Sequence, residues 1–260
     1  MTAALRPAPT VHRPRPVAAP VLRLFLFHHA GGSHLFFREW CDLFPVDWEV
    51  VLVEAPGRGF GGTEPAYTEL APLVERFRTD LSSRLDVPYA FFGHSMGSLV
   101  ATELARRIRA AGEPGPRWLG LSAWAADQER PGDGRPPRHL HSDEELREVL
   151  VRMGGTPAEV LDVPELWQLF APAIRSDFQL VDTAPAELRA PLPELPQSLF
   201  AGLDDAVTPA AAVAALAERL PHLTGLHVHP GDHFYLREHR KVIARQIVED
   251  LGGVLRGSAA

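Results

Sequence analysis

The sequence predicts an α/β fold in which helices cover both faces of a mostly parallel sheet. Short apolar segments alternate with longer amphipathic ones, and right-handed helical crossovers between such segments give parallel strands. The alternation stops between about Trp124 and Leu188, where only helical patterns occur. A chain of 260 residues with 45% hydrophobic residues suits one domain that carries an insertion.

Six short apolar segments are the predicted strands. They are Val21–Phe27, Glu49–Val53, Pro88–Phe92, Trp118–Ser122, Gln197–Gly202 and Gly225–His229. Helices of the core are predicted over Arg38–Phe44, Thr68–Leu85, Ser98–Arg109 and Lys241–Leu255. We divide the chain into a disordered tail (1–20), an α/β core (21–123 and 189–256) and a helical insertion (124–188). The tail is rich in Pro, Ala and Arg and lacks the apolar stretch of a secretory signal.

The pentapeptide Gly93-His94-Ser95-Met96-Gly97 lies between a predicted strand and a predicted helix. In that context G-x-S-x-G indicates a nucleophile elbow, a turn so sharp that Ser95 takes a strained backbone conformation. Glycines on either side let the strand and the helix pass closely. We therefore predict that Ser95 is a nucleophile.

A serine needs a base, and the base needs an orienting carboxylate. In this fold the partners follow in the order Ser, Asp or Glu, His. His233, in a Pro-Gly turn just past the last strand, is the predicted base. Asp205, three residues after Gly202, is the preferred acid, and its neighbour Asp204 is the alternative.

The other polar residues near these motifs have plainer interpretations. His94 is expected to pack beside the nucleophile, and His227 and His229 alternate with apolar residues in a strand. His28 precedes the glycines of another loop. Asp232, beside the predicted base, is expected to be a solvated turn residue.

Acyl transfer also needs an oxyanion hole of fixed backbone donors. One predicted donor is the amide of Met96, directly after the nucleophile. The other comes from the loop after the first strand, at the amide of Ala30 or of His29, with Ala30 preferred. The glycines Gly31 and Gly32 let this loop approach a ligand closely.

Composition limits the possible partners. A net charge of −7 argues against nucleic acid, and the apolar runs are too short to span a membrane. The single cysteine, Cys41, cannot form an internal disulfide, which favours the cytoplasm. The spacing shows neither a metal-ligand cluster nor the glycine pattern of a nucleotide site, so we expect neither a metal nor another cofactor.

Seven runs in the sequence resemble type II thioesterases, the stand-alone editing enzymes of polyketide and nonribosomal peptide synthesis. They are His29–Ser33, Ala55–Arg58, Phe92–Gly97, Gly154–Pro157, Arg175–Phe178, Gly202–Asp205 and Gly231–Leu236. The runs in the insertion discriminate best, because hydrolase families differ there. The resemblance implies an α/β-hydrolase fold and an enzyme that removes aberrant short acyl groups from the phosphopantetheine arm of acyl or peptidyl carrier proteins. Independently of the resemblance, we expect the helical insertion to form a lid over the site, and we expect a monomer.

The chain departs from this family pattern at three places. His28 stands where the family usually has proline, and Gly59–Gly62 replaces a Glu and a second Arg after Arg58. The acidic turn is one residue short, which is why Asp204 stays open as the acid. Docking of an acidic carrier protein would need a basic patch, for which the segment Arg130–Arg138 is a candidate.

Three other functions remain open at this stage. A carboxylesterase or lipase would use the same triad on oxygen esters. An acyltransferase would pass the acyl group to a thiol acceptor, although the acidic turn and the loop of His29–Gly32 fit that family poorly. A carrier-binding scaffold without catalysis is the third.

Overall fold

The computed structural model describes residues 10–58, 64–125, 136–189 and 194–257. Its strands are β1 (Val11–His12), β2 (Leu22–Phe27), β3 (Trp48–Val53), β4 (Tyr89–His94), β5 (Leu119–Ser122), β6 (Gln197–Gly202) and β7 (Leu223–His229). They form one sheet in the order β1-β3-β2-β4-β5-β6-β7. Neighbouring strands are parallel except at the edge, where β1 runs antiparallel to β3. The predicted mostly parallel sheet is confirmed.

Helices lie between these strands and after the last one. They are α1 (Leu70–Leu81), α2 (Met96–Ala110), α3 (Asp143–Met153), α4 (Ala158–Asp162), α5 (Pro164–Thr183), α6 (Ala210–Ala217) and α7 (Leu236–Gly257). Short 3-10 helices cover His34–Leu43, Ser82–Arg84, Arg138–Leu140 and Ala186–Arg189. The predicted helix near Cys41 therefore has 3-10 geometry.

Apolar side chains lie on both faces of the sheet, as expected for parallel strands covered by helices. Along β2 and β4, Phe25 and Phe91 pack into the cluster that contains the apolar residues of α1, α2 and α6. Their neighbours Leu24 and Phe92 pack into the opposite cluster, with α7 and the 3-10 helix that contains Cys41. Burial raises the pKa of the Cys41 thiol to about 11, so this residue is a packed, unreactive thiol at neutral pH.

The carboxyl ends of the central strands coincide. Phe27 on β2 pairs with Gly93 on β4, and Gly202 on β6 pairs with His229 on β7. Because these strands are parallel, the segments that follow them all leave the sheet at its carboxyl end. That end of the sheet carries the candidate site.

The prediction of a disordered tail over residues 1–20 is wrong from Thr10 onward; residues 1–9 lie outside the described residues. Val11–His12 pairs with β3, which would otherwise be the edge strand with unpaired backbone groups on one side. Arg13 donates to Glu49, a fully buried carboxylate on β3 that also accepts from Arg23. Pairing of this buried charge explains why the segment is held in place.

The described part of the predicted insertion is helical. A capping box is present at the start of α3, where Ser142 and Glu145 exchange side-chain and backbone hydrogen bonds of 3.2 and 2.8 Å. Two segments with helical patterns, Asp162–Phe170 and Ala173–Ala184, lie almost entirely within one helix, α5, which continues through Pro172. Packing of its apolar face against α3 and α4 outweighs the hydrogen bond that proline removes.

Two sequence features lie mainly outside the described residues. Gly59–Gly62 is one. The other is the candidate basic segment Arg130–Arg138, of which only residues 136–138 are described. Arg138 donates to Asp182 on α5, and its guanidinium lies over the Phe178 ring. Among the described helices, none is long and apolar enough to cross a membrane.

Candidate active site

The turn between β4 and α2 has the conformation that the G-x-S-x-G motif predicts. Ser95 has φ 55° and ψ −116°, values that only glycine adopts readily. A Cβ atom on Gly93 would lie 2.2 Å from the backbone of Gly97, and one on Gly97 would lie 2.1 Å from the Phe27 carbonyl oxygen. Both flanking residues must therefore be glycine, and the serine side chain is presented at the carboxyl end of the sheet.

Three side chains that are distant in sequence meet at this point. The Ser95 hydroxyl lies 3.0 Å from His233 Nε2, and His233 Nδ1 lies 2.8 Å from Asp205 Oδ2. The carboxylate can only accept, so Nδ1 carries the proton and Nε2 is free to accept the serine proton. His233 is 2% exposed and Asp205 3%, whereas Ser95 is partly accessible.

The turn after β6 aims Asp205, and not Asp204, at the histidine. Asp205 Oδ1 accepts the amides of Val207 and Thr208 at 2.8 and 2.9 Å, which leaves Oδ2 directed at His233. Asp204 is exposed, and its carboxylate accepts the Gly231 amide at 3.3 Å. Asp204 therefore stabilises the loop that carries His233 and does not contact the imidazole.

Close backbone approach brings the acid and histidine loops together. A Cβ atom on Gly202 would lie 2.4 Å from the Asp232 carbonyl oxygen, so only glycine fits at the end of β6. The exposed Asp232 carboxylate accepts the Phe234 amide at 2.7 Å, as expected for a turn residue. Ala123, which like Ser95 has a positive φ (50°), accepts the Thr208 hydroxyl at 3.1 Å behind the acid.

The loop after β2 lies beside the serine and contains the second predicted oxyanion donor. A Cβ on Gly97 would contact the carbonyls of Phe27 and His28, so the start of α2 and this loop touch. Neither the Met96 amide nor the Ala30 amide donates to a protein acceptor among the described residues. Both predicted donors are therefore available to a ligand.

His28 holds this loop in a way that the sequence did not indicate. Its Nε2 accepts the Ala55 amide at 3.2 Å, so its Nδ1 carries the proton that is donated to the His29 carbonyl at 2.7 Å. That carbonyl belongs to the same peptide group as the Ala30 amide. The His28 imidazole thereby fixes the orientation of the Ala30 amide, the predicted oxyanion donor. His28 stands where the family that the motifs resemble usually has proline.

Buried histidines surround the triad without adding charge. Burial lowers the pKa of His29 to about 3 and those of His28 and His94 well below the usual 6.5. All three are neutral at pH 7. None of them places a positive charge beside the imidazolium that catalysis would form on His233.

The remaining histidines weighed in the sequence have structural contacts. His94 Nδ1 lies 2.9 Å from the Ser122 hydroxyl, and its ring stacks on Phe36. His227 pairs with Asp250 at 2.8 Å, and His229 bonds to Gln246 at 3.0 Å. The contacts of His227 and His229 do not involve the triad, whereas the ring of His94 lies 5.2 Å from the ring of His233.

The lid touches both loops of the site. On α5, Asp177 accepts the Gly31 amide at 2.7 Å and pairs with Arg58, which also donates to the Gly32 carbonyl at 2.8 Å. At the other end, Arg237 donates to the carbonyl of Gly155, which follows α3. No role was predicted for these residues from the sequence, although Arg58 and Asp177 lie in two of the family-like runs.

Comparison with known proteins decides the class of hydrolase. Residues 22–251 match the family model for the thioesterase domain. The chain belongs to the thioesterase family. It is therefore a thioester hydrolase, and the resemblance drawn from its motifs is confirmed.

Individual relatives of this thioesterase agree. The gramicidin S biosynthesis protein GrsT of Aneurinibacillus migulanus is 34% identical over 221 residues, or 85% of each chain. The structure of the type II thioesterase BorB from the borrelidin biosynthetic cluster has a TM-score of 0.79 at 32% identity, over 95% of this chain and 100% of that one. RedJ, a thioesterase from the prodiginine pathway of Streptomyces coelicolor, has a TM-score of 0.77 at 31% identity, over 96% of this chain and 90% of that one.

Proposed function

We propose that this thioesterase removes acyl groups from the phosphopantetheine arm of acyl or peptidyl carrier proteins in polyketide or nonribosomal peptide biosynthesis. The observation that carries the proposal is the continuous contact from Ser95 through His233 to Asp205 in a chain of the thioesterase family. The biosynthetic clusters named for its relatives support the carrier-bound substrate. Such an enzyme acts in the cytoplasm, and we expect it to work as a monomer.

In the first half of the reaction, His233 Nε2 takes the proton of the Ser95 hydroxyl as the oxygen attacks the thioester carbonyl carbon. Asp205 holds the imidazole in position and stabilises its charged form. The amides of Met96 and Ala30 receive the negative charge that develops on the carbonyl oxygen. The carbon–sulfur bond then breaks, and the phosphopantetheine sulfur leaves with the proton from His233.

In the second half, water replaces the departing thiol. His233 takes a proton from this water, whose oxygen attacks the acyl-serine carbonyl. Collapse of the intermediate returns the proton to Ser95 and releases a free carboxylic acid. A carrier protein with its thiol restored is the other product.

A comparison of three substrates tests the proposed function. With one acyl group, we expect the highest kcat/KM on acyl-carrier protein, a lower value on the acyl-pantetheine thioester, and the lowest on the p-nitrophenyl ester. A preference for the oxygen ester would indicate a carboxylesterase. Transfer of the acyl group to an added thiol, without release of free acid, would indicate an acyltransferase.

Two further measurements test the chemistry and the editing role. A fluorophosphonate probe should label Ser95 covalently, and absence of an adduct would favour a non-catalytic scaffold. Carrier proteins loaded with short acyl groups should be cleared faster than those carrying a long pathway intermediate. Equal rates on both would contradict the editing role while leaving the hydrolase assignment intact.

A further inference from the structure

Three potential metal ligands from distant parts of the sequence lie side by side at the β1 edge of the sheet. His12 lies on β1, Glu54 follows β3 directly, and His34 begins the 3-10 helix after the loop that carries Ala30. One nitrogen from each imidazole and an oxygen of the carboxylate all lie within 4.8 Å of one another. All three residues are partly exposed, so an ion can reach them from solvent.

The spacing of these atoms is close to that of a metal site. His12 Nε2 lies 3.1 Å from Glu54 Oε2, and His34 Nδ1 lies 2.9 Å from Glu54 Oε1. The two rings stack with centroids 3.7 Å apart at an angle of 10°. In a tetrahedral zinc site, bonds of about 2.0–2.2 Å place neighbouring ligand atoms roughly 3.3 Å apart. Because the nitrogen lone pairs lie in the ring planes, one imidazole must rotate out of this stack before both nitrogens can point at one ion.

The His34 Nδ1 atom favours an ion over a simple hydrogen bond. It is buried, and within the described part of the chain it has no hydrogen-bond partner of acceptable geometry, although Glu54 Oε1 is near. That oxygen accepts the backbone amide of His34 at 3.3 Å. Buried nitrogen atoms normally have a partner, and an ion shared with Glu54 would supply one.

We propose that His12, His34 and Glu54 bind one divalent transition-metal ion, and that Zn²⁺ fits best. Two imidazoles and one carboxylate are a common donor set for zinc, and water completes the tetrahedron. The ion joins β1 to the end of β3 and to the helix that follows the oxyanion loop. Its role is to stabilise this edge of the fold, and it takes no part in thioester cleavage. The sequence did not suggest a metal because the ligands lack the close spacing of a metal motif.

Metal titration of the full chain, without an affinity tag and after treatment with EDTA, tests the site. We expect equilibrium dialysis to find one tightly bound Zn²⁺ per chain. Co²⁺ should give the strong visible absorption of a four-coordinate ion. At a free Zn²⁺ concentration of about 100 times Kd, Tm should rise by roughly 5–10 °C.

Variants decide whether the bound ion lies at this site. His34→Ala should weaken Zn²⁺ binding by more than about 100-fold, because loss of even an outer-sphere partner weakens metal sites by about 10–100-fold. His12→Gln, at a partly exposed position on the short edge strand, gives the same test if His34→Ala does not fold. The control is His222→Ala, which removes an exposed histidine elsewhere and should leave binding unchanged.

Two results would overturn the proposal. One is the absence of stoichiometric Zn²⁺ binding to the wild-type chain at about 100 μM metal. The other is a bound ion whose affinity is unchanged in His34→Ala, in His12→Gln and in Glu54→Gln. If the ion is lost only in His233→Ala, it lies at the triad, and the proposal is likewise overturned.

Discussion

Arg58 and Asp177 form a buried ion pair that joins the lid to the loop after β2. Their side chains are 5% and 2% exposed, and the same carboxylate accepts the Gly31 amide. Arg58 in turn donates to the carbonyls of Gly32, Ala55 and Pro56. A helix of the lid is thereby tied to the residue that follows Ala30, so lid position and oxyanion-loop geometry are coupled.

Asp177→Asn should reduce both stability and turnover. Removing one charge of a buried pair leaves the other uncompensated, which costs about 3–5 kcal/mol. Displacement of the Gly31 amide should lower kcat by up to about 100-fold. Urea unfolding and kcat on an acyl-pantetheine thioester measure the two effects. Glu148→Gln is the control, because its pair with Arg152 is exposed and both quantities should stay close to wild type.

His28→Phe should lower kcat by about 10–100-fold with a smaller change in KM. Outright removal of an oxyanion donor costs about 10²–10³-fold, and here the Ala30 amide is misdirected but not removed. Steady-state kinetics on a thioester provide the measurement. His227→Phe removes a histidine contact on β7, away from the triad, and should keep kcat near wild type. An equal loss of kcat in His28→Phe and His227→Phe would argue against a role of His28 in positioning the Ala30 amide.

Ser95→Ala should keep the fold and lower kcat by about 10⁴-fold or more, because the nucleophile is lost while the backbone is unchanged. Circular dichroism and Tm check the fold, and release of the free thiol measures turnover. Ser176→Ala on α5, whose hydroxyl donates to the Pro172 carbonyl at 2.9 Å, should be fully active. Wild-type turnover by Ser95→Ala would end the nucleophile assignment.

Asp205→Asn should lower kcat by about 10⁴-fold, since an amide at this position favours the wrong tautomer of His233. Asp204→Asn should have a modest effect, because its carboxylate contacts the Gly231 amide and not the imidazole. The two variants are closely matched in chemistry and position. An inactive Asp204→Asn beside an active Asp205→Asn would reverse the assignment of the acid.

The free energy of unfolding should fall as the pH drops from about 7 to about 5. Burial keeps the pKa of His28, His29 and His94 below the ordinary value, so these residues stay neutral in the folded state. Below about pH 6.5 the unfolded chain binds a proton at each of these three histidines, and the folded chain does not. The free energy of unfolding therefore falls by up to about 1.4 kcal/mol per pH unit for each histidine. Urea unfolding at several pH values measures this slope. His28→Phe should reduce it, and His222→Ala should not; identical slopes in the two variants would contradict the assignment.

The strands and the order of the triad residues follow from local signals in the sequence. The apolar run Gln197–Gly202 coincides with β6, and β2, β3, β4 and β5 begin or end within two residues of the predicted segments. A continuous apolar run bounded by turn residues has few other structures open to it. The nucleophile turn is equally local, because its glycines and serine are adjacent in the chain.

Apart from the triad, the contacts between distant segments were not predicted from the sequence. The strand Val11–His12 is two residues long and forms only because β3 offers an unpaired edge. Helix α6 is rich in alanine and has no polar face, so periodicity does not mark it. The hydrogen bonds of His28 and the ion pair of Asp177 depend on partners that are far away in sequence. Such roles become visible only when the segments are brought together.

The backbone at Ser95 has a consequence for engineering this protein. A non-glycine residue at φ 55° and ψ −116° costs about 1–3 kcal/mol, so glycine at this position would make the molecule harder to unfold and chemically inert. Selection of a library for heat resistance alone would therefore enrich dead variants at position 95. Any such screen needs a simultaneous assay for turnover.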